Sequence, residues 1–486
     1  MLLYVAILTL IVWYLYRFYS SLSDLPPGPL PIPIVGNLLS FVGIDRWEDK
    51  LVEWKQKYGD VFTIHIGLQR FVTVNSYKAA VKYFVKDGDS YTDRLRNGVN
   101  EIVRGGNYGV VETGGHLWLE QRRFALKVLR DFGLSKAQME QRVLDEVEYI
   151  LNQIDKHYTD IAVGSVINAV LFGYRYTDGN EAEFYHLKKV LTVATDRFAS
   201  IWGTFLVFNT ELFNLRILKP FITYVTEMMV QIIDNLLKQI EDHKKNNDYS
   251  NQSTEAKDFV DAYMIEKYRL EANGEYDTTF SEKQLANVCF HLWIAGQETT
   301  SITLTWAISY MVNHPETQQK AQDELDRVIG SNRLITMADR KDLHYVNAFV
   351  NEAQRCANIL PINLPRRTTK DVEIDGKLLP KGTIVFPQIS TIMHDPEVFD
   401  SPSTFNPGRF IDENGRFKQI EEVVPFSIGK RACLGEGLAR MELFLITANI
   451  LNRYKLSVGD QPPSVRRMAG MMARLNPFNS HVELRQ

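Results

Sequence analysis

Between Ser281 and Asn313 the sequence reads SEKQLANVCFHLWIAGQETTSITLTWAISYMVN, a proline-free stretch that is apolar on most sides. Ser281 followed by Gln284 fits a capping box at its start, and Pro315 stands just past its end. A helix of this length runs about 50 Å at the usual rise per residue, enough to cross an entire domain. A helix that is apolar all round is buried all round, so a large body must surround it. Its middle breaks the pattern. Ala295 to Thr300 reads AGQETT, which puts a glycine, an acid and two β-branched hydroxyls where local propensity disfavours them. Two readings stand at this point: a kink carrying a solvated Glu298, or residues placed there for chemistry.

The rest of the chain can supply such a body. Its 486 residues are 45% apolar and 23% charged, the composition of an ordinary globular protein. Helical patterns dominate from residue 38 onward, with no internal repeat. Asp60 to Val74 alternates as strands do, with a turn near Gly67, and a second β-rich patch runs from Val372 to Phe386. The polar stretch from His243 to Asp258 reads as an exposed loop between helices. The expected fold is mainly α with small β-sheets (α+β), a single large domain over residues 38–486. A net charge of −4 gives no concentrated basic surface, which argues against a nucleic-acid partner. Cys289, Cys356 and Cys433 are odd in number and widely spaced, so neither a disulfide framework nor a zinc site is expected.

The N-terminus is different. MLLYVAILTLIVWYLY carries no charge before Arg17, and residues 1–19 read as a short transmembrane anchor with aromatic residues suited to the headgroup level. It lacks the basic start and small-residue cleavage site of a signal peptide. Residues 20–37 follow as a proline-rich hinge, with five prolines between Pro26 and Pro33. Such a segment cannot be helical and is expected to be a stiff extended spacer between membrane and body.

The third cysteine sits in FSIGKRACLG, Phe426 to Gly435, just ahead of a helical pattern. Free amides and the positive dipole end at a helix start favour a thiolate. Gly429 permits a tight turn, Gly435 permits close approach to a flat ligand, Phe426 can keep water from the sulfur, and Arg431 can pair with a ligand carboxylate. Thiolate ligation of haem iron calls for this combination. The F-x-x-G-x-R-x-C-x-G pattern resembles that of the cytochrome P-450 superfamily and is met at all its fixed positions. A chance match in a chain this long is on the order of 10⁻⁴ at average residue usage.

Other motifs extend the resemblance over nearly the whole chain. NEAQR supplies the superfamily's E-x-x-R as Glu352 and Arg355, which with Arg409 of FNPGRF implies a structural network under the cysteine loop. The superfamily often has a glutamate where this chain has Gly408, but the arginine is kept. AGQETT is similar to the oxygen-binding stretch: Ala295 would border the haem, Gly296 would open a kink, and Glu298 and Thr299 would be the acid–alcohol pair that handles protons. HLWLEQRR carries the W-x-x-x-R of the haem-edge helix, so the resemblance implies that Trp118 and Arg122 meet a propionate, with Arg94 and Arg366 as further partners. Arg123, Lys127 and Arg130 form a stripe at helical spacing, either a solvated face or a docking face for an acidic redox partner.

The resemblance implies a haem b cofactor with Cys433 as axial ligand. It also implies insertion of one oxygen atom of O2 into a lipophilic substrate such as a fatty acid, sterol or xenobiotic. No flavin or dinucleotide segment is present, so a separate NADPH-dependent flavoprotein reductase is the implied electron donor, with cytochrome b5 as a further candidate. The Pro-rich hinge matches microsomal members, which implies a single-pass anchor in the endoplasmic reticulum with the catalytic domain on the cytoplasmic side. Substrate-lining segments would include Val99 to Val110, Phe290 to Thr299, Ile362 to Leu364 and the region of Met471 and Met472, with Phe198 to Phe221 as either a lid or ordinary core. The alternatives are a haem-thiolate isomerase or dehydratase acting on peroxides, a non-enzymatic membrane haem-binding protein, and a tethered scaffold without haem.

Overall fold

The computed structural model describes residues 2–44, 46–95, 98–132, 137–153, 159–198, 206, 209, 219–247, 249, 255–276, 278–468 and 472–485. The stretch from Phe198 to Phe221 falls largely outside the described residues, as does Met471; the side chain of Val99 is likewise outside them.

The 281–313 stretch forms one continuous helix, Glu282–Asn313, with the Ser281 hydroxyl accepting from the Gln284 amide over 3.1 Å. Its two halves serve different cores. Leu285, Val288, Phe290 and Trp293 join one apolar cluster with the helices Thr159–Phe172, Glu181–Phe198, Lys219–Asn246 and Phe259–Ala272. Ile302, Trp306, Tyr310 and Met311 join a second with Ala137–Gln153, His344–Ala357 and Glu436–Arg453. AGQETT is the seam between them. The helix runs unbroken through Gly296. A Cβ there would lie 3.0 Å from Ile167, so the glycine's role is to let the Thr159–Phe172 helix approach.

The β-structure sits to one side. The strands are β1 (Val61–Ile66), β2 (Gln69–Val74), β3 (Asp93–Arg94), β4 (Arg366–Arg367), β5 (Val372–Ile374), β6 (Lys377–Leu379), β7 (Ile384–Pro387), β8 (Tyr454–Val458) and β9 (Ser480–Leu484). Five form a sheet in the order β1-β2-β7-β4-β3, parallel only between β2 and β7; β5-β6 and β8-β9 are separate ribbons. The expected turn at Gly67 joins β1 to β2, with φ at +63°.

Leu2–Ser20 is helical, and the run Leu2–Asp24 is long and apolar enough to cross a membrane, with none of it buried against the body. The Pro-rich segment behind it, expected as a stiff extended spacer, packs against the body. Proline lacks an N–H, but its carbonyls still accept: Pro27 takes the Thr63 amide at 2.8 Å, and the Asn37 side chain ties Pro29 and Leu30 back while receiving the His65 amide. The segment is docked along β1, so the anchor joins the sheet directly. The polar run from His243 also differs from expectation. The helix continues to Asn246, and His243 is bonded to Asp258 and Tyr249 because an imidazole offers one nitrogen to each.

Candidate active site

The cysteine loop is closed by its own backbone. The Cys433 amide donates to the Phe426 carbonyl over 2.8 Å, and the Ala432 amide to Gly429 over 2.9 Å. Gly429 has φ +74°, and a Cβ on it would fall 1.8 Å from the Phe84 carbonyl oxygen, so no other residue fits. The Phe426 ring is half-buried beneath the Arg440 guanidinium, 4.8 Å from its centroid. A Cβ at Gly435 would meet no protein atom within 4 Å. The helix Glu436–Arg453 begins immediately after it.

Cys433 is exposed, yet burial is the first cause raising its thiol above the ordinary range. Both hold if the sulfur opens onto space enclosed within the body, and dense surroundings govern its ionisation. The Gly435 amide and the Arg122 charge pull the other way without winning. The amide at the helix start thus favours the thiolate as expected, and burial opposes it. A bound cation would complete the ionisation, since a coordinating thiol is deprotonated outright.

Around the loop, Arg94, Arg122, Arg366 and Arg431 converge. Burial, then the charges of Arg94, Arg122 and Arg366, lowers Arg431; burial, then Arg94 and Arg122, lowers Arg366. Among the described residues their hydrogen bonds go to main-chain carbonyls and one hydroxyl. Arg94 donates to Val111, Leu364 and Pro365, Arg122 to Ala432, Arg366 to Ile428 and the Ser427 hydroxyl, and Arg431 to Thr92, Val111 and Thr113. Among the described residues, Arg366 keeps Nε and Nη1 buried without a partner, as does Trp118 its Nε1. The Arg431 guanidinium lies 3.8 Å from the Trp118 ring centroid. Buried like charges are unfavourable unless compensated, so the cluster fits a group bringing carboxylates. The propionates of haem supply these, and the residues present fit that cofactor.

The supporting network is formed as well. Glu352 and Arg355 are wholly buried and paired through two hydrogen bonds of 2.7 and 2.8 Å. Arg409 Nε and the Asn406 amide both donate to Glu352 Oε1, at 3.0 and 2.9 Å. Gly408 leaves this intact: the Asn406 side chain accepts its amide.

On the central helix Ala295 is exposed, as Cys433 is, although buried residues flank it on the same helix. The Thr299 hydroxyl donates to the Ala295 carbonyl over 2.6 Å. Glu298 does not bond to Thr299; its Oε2 accepts from Arg474 at 2.6 Å. Thr300 donates to Glu442 on the cysteine helix at 3.2 Å. Burial pushes Glu442 up to about 8, with the Thr300 bond acting against it. Sequence reasoning missed Arg474 and Glu442. The only signal for Glu442 was an acid on the apolar face of ARMELF; Arg474 gave none.

The cytochrome P450 family model matches residues 26–479. Curated relatives are of similar length. Cytochrome P450 2K1 of Oncorhynchus mykiss is 34% identical over 480 residues, covering 94% of this chain and 91% of that protein. Cytochrome P450 2B19 of Mus musculus is 35% identical over 457 residues, 90% and 89% of the two chains. Cytochrome P450 2D3 of Rattus norvegicus is 34% identical over 492 residues, 98% and 96%. A glycine-flanked cysteine loop, an arginine cradle and a match over nearly the whole chain agree: this chain belongs to the cytochrome P450 family and is a haem-thiolate monooxygenase.

Proposed function

We propose that the chain is an endoplasmic-reticulum monooxygenase of lipophilic substrates, anchored by its first helix with the catalytic domain on the cytoplasmic side. A separate NADPH-dependent flavoprotein reductase delivers electrons, with cytochrome b5 as a second candidate donor. The observation that carries the reading is Cys433 in a loop closed by the Phe426 carbonyl, with buried Arg366 and Arg431 and half-buried Arg94 and Arg122 beside it. Cys433 is the axial ligand; Arg94, Arg122, Arg366, Arg431 and Trp118 hold the haem edge; Glu352, Arg355 and Arg409 brace the loop. Bound haem supplies the activation of dioxygen for insertion into a C–H bond. Thr299 and Glu298 hold and move protons beside it. Arg123, Lys127 and Arg130 are all exposed on the helix whose Arg122 reaches Ala432, which supports docking of an acidic partner on the cysteine side.

Substrate contacts fall to Ala295, Phe290, Ile362 and Met472, an apolar and adaptable set. The test is full-length protein in lipid with reductase, NADPH and a panel of fatty acids, sterols and aromatic xenobiotics. The expected result is NADPH-dependent product carrying an oxygen atom from labelled O2. Rearrangement of peroxides without NADPH, and no oxygenated product, would refute it.

A further inference from the structure

Glu298 and Arg474 are 176 positions apart in sequence yet joined at 2.6 Å. Glu298 is buried, and among the described residues neither its other oxygen, Oε1, nor either end of the neighbouring Gln297 amide has a hydrogen-bond partner. Arg474 is carried by the C-terminal segment, where Arg467 bridges to Leu475 and the Met468 amide donates to the Arg474 carbonyl. This segment rests on two supports. Trp306 of the central helix donates to the Ala473 carbonyl at 2.6 Å, and the Ala473 amide donates to Ile359 at 2.8 Å. Ile359 leads into the Pro361–Ile362 stretch, and half-buried Met472 lies two residues before Arg474. Consecutive residues of a helix diverge by about 100°, so Glu298 and Thr299 start on different faces. The ion pair holds the acid on the face of the C-terminal segment, while the Thr299 hydroxyl bonds Ala295.

We propose that Arg474 is a positioning residue that latches Glu298 against the C-terminal segment and withholds it from Thr299 until that segment shifts. A substrate seated against Ile362 and Met472 displaces the segment, so the acid is released when there is something to oxidise. The proposal rests on Glu298 being the proton-handling acid. Insertion of one oxygen atom consumes two electrons and two protons per dioxygen and releases water; the futile reaction consumes the same and releases hydrogen peroxide. In both, NADPH is the reductant. The latch limits the futile reaction.

The test uses full-length holoprotein with reductase, as Arg474→Gln, Arg474→Lys, Glu298→Gln and the double Gln variant. A carboxylate infrared band lost in Glu298→Gln is expected to shift in Arg474→Gln. Peroxide released from NADPH without substrate is expected to rise about threefold or more in Arg474→Gln, return to the parental level in the double variant, and stay near it in Arg474→Lys. An unmoved band, or unchanged substrate-free peroxide release in Arg474→Gln, overturns the proposal. If Glu298→Gln leaves product formation unchanged while the band still moves, the relay reading has failed and the latch, with nothing to withhold, falls with it.

Discussion

Arg94 and Arg366 are register partners across the antiparallel β3–β4 pair. Like charges directly opposite one another destabilise a sheet, and here both guanidiniums are drawn into the body beside two more. The arrangement is reasonable only if an anionic group completes it. Arg366→Gln is therefore expected to weaken haem retention by about tenfold or more, the loss of a charge-assisted hydrogen bond. Haem-free protein should melt no lower than the parent. Haem-transfer titration and thermal melts check the two halves.

Gly429→Ala should be far more damaging than its size suggests. The added Cβ meets the Phe84 carbonyl at 1.8 Å on a backbone with φ +74°. Neither neighbour can retreat, because Phe84 also supports Arg366, whose guanidinium lies 4.5 Å from its ring centroid. A loss above about 4 kcal/mol is expected, read as failure to accumulate folded protein. Gly435→Ala, with open space around it, should fold with nearly the parental melting temperature.

What could be read from sequence follows the range of each interaction. Gly429 and Cys433 lie in one short segment, and Trp118 and Arg122 in another, so each motif could be read locally; that Arg122 reaches Ala432 from a distant helix could not. Glu352–Arg355 is a helical i,i+3 pair and equally local. The Glu298–Arg474 pair links the mid-helix to the C-terminal segment, and nothing near either residue announces the other. Gly296 carries a second constraint that its own helix does not announce, the close approach of Ile167 from another helix. The hinge reads as a stiff extended spacer because its prolines exclude helix; that its Pro27 carbonyl would accept a hydrogen bond from β1 depends on a strand distant in sequence.

Glu352→Ala leaves Arg355 as a buried cation without its acid and removes the acceptor shared by Arg409 and Asn406. A loss of about 3–5 kcal/mol is expected in denaturant titration. Lys245→Ala, which removes an exposed pair with Asp242, should change stability by under about 1 kcal/mol.

Glu442 gives a pH signature. Burial raises it to about 8, so in the folded state it stays protonated after the unfolded chain has ionised. Ionisation then favours the unfolded chain from about pH 4.5 upward, and the penalty is complete once pH passes the folded value near 8. Glu442→Gln, which keeps an acceptor for Thr300, is expected to melt above the parent at about pH 8.5 and lose that advantage near pH 5. Parallel melts at the two pH values decide it.

The central claim is that the Cys433 sulfur is the axial ligand of the haem. The most direct measurement is the carbon-monoxide difference spectrum of the reduced full-length holoprotein, beside Cys433→Ala. The account predicts a strongly red-shifted Soret band in the parent and its loss in the variant. An unshifted band in the parent, or a red-shifted band that survives in Cys433→Ala, would contradict it.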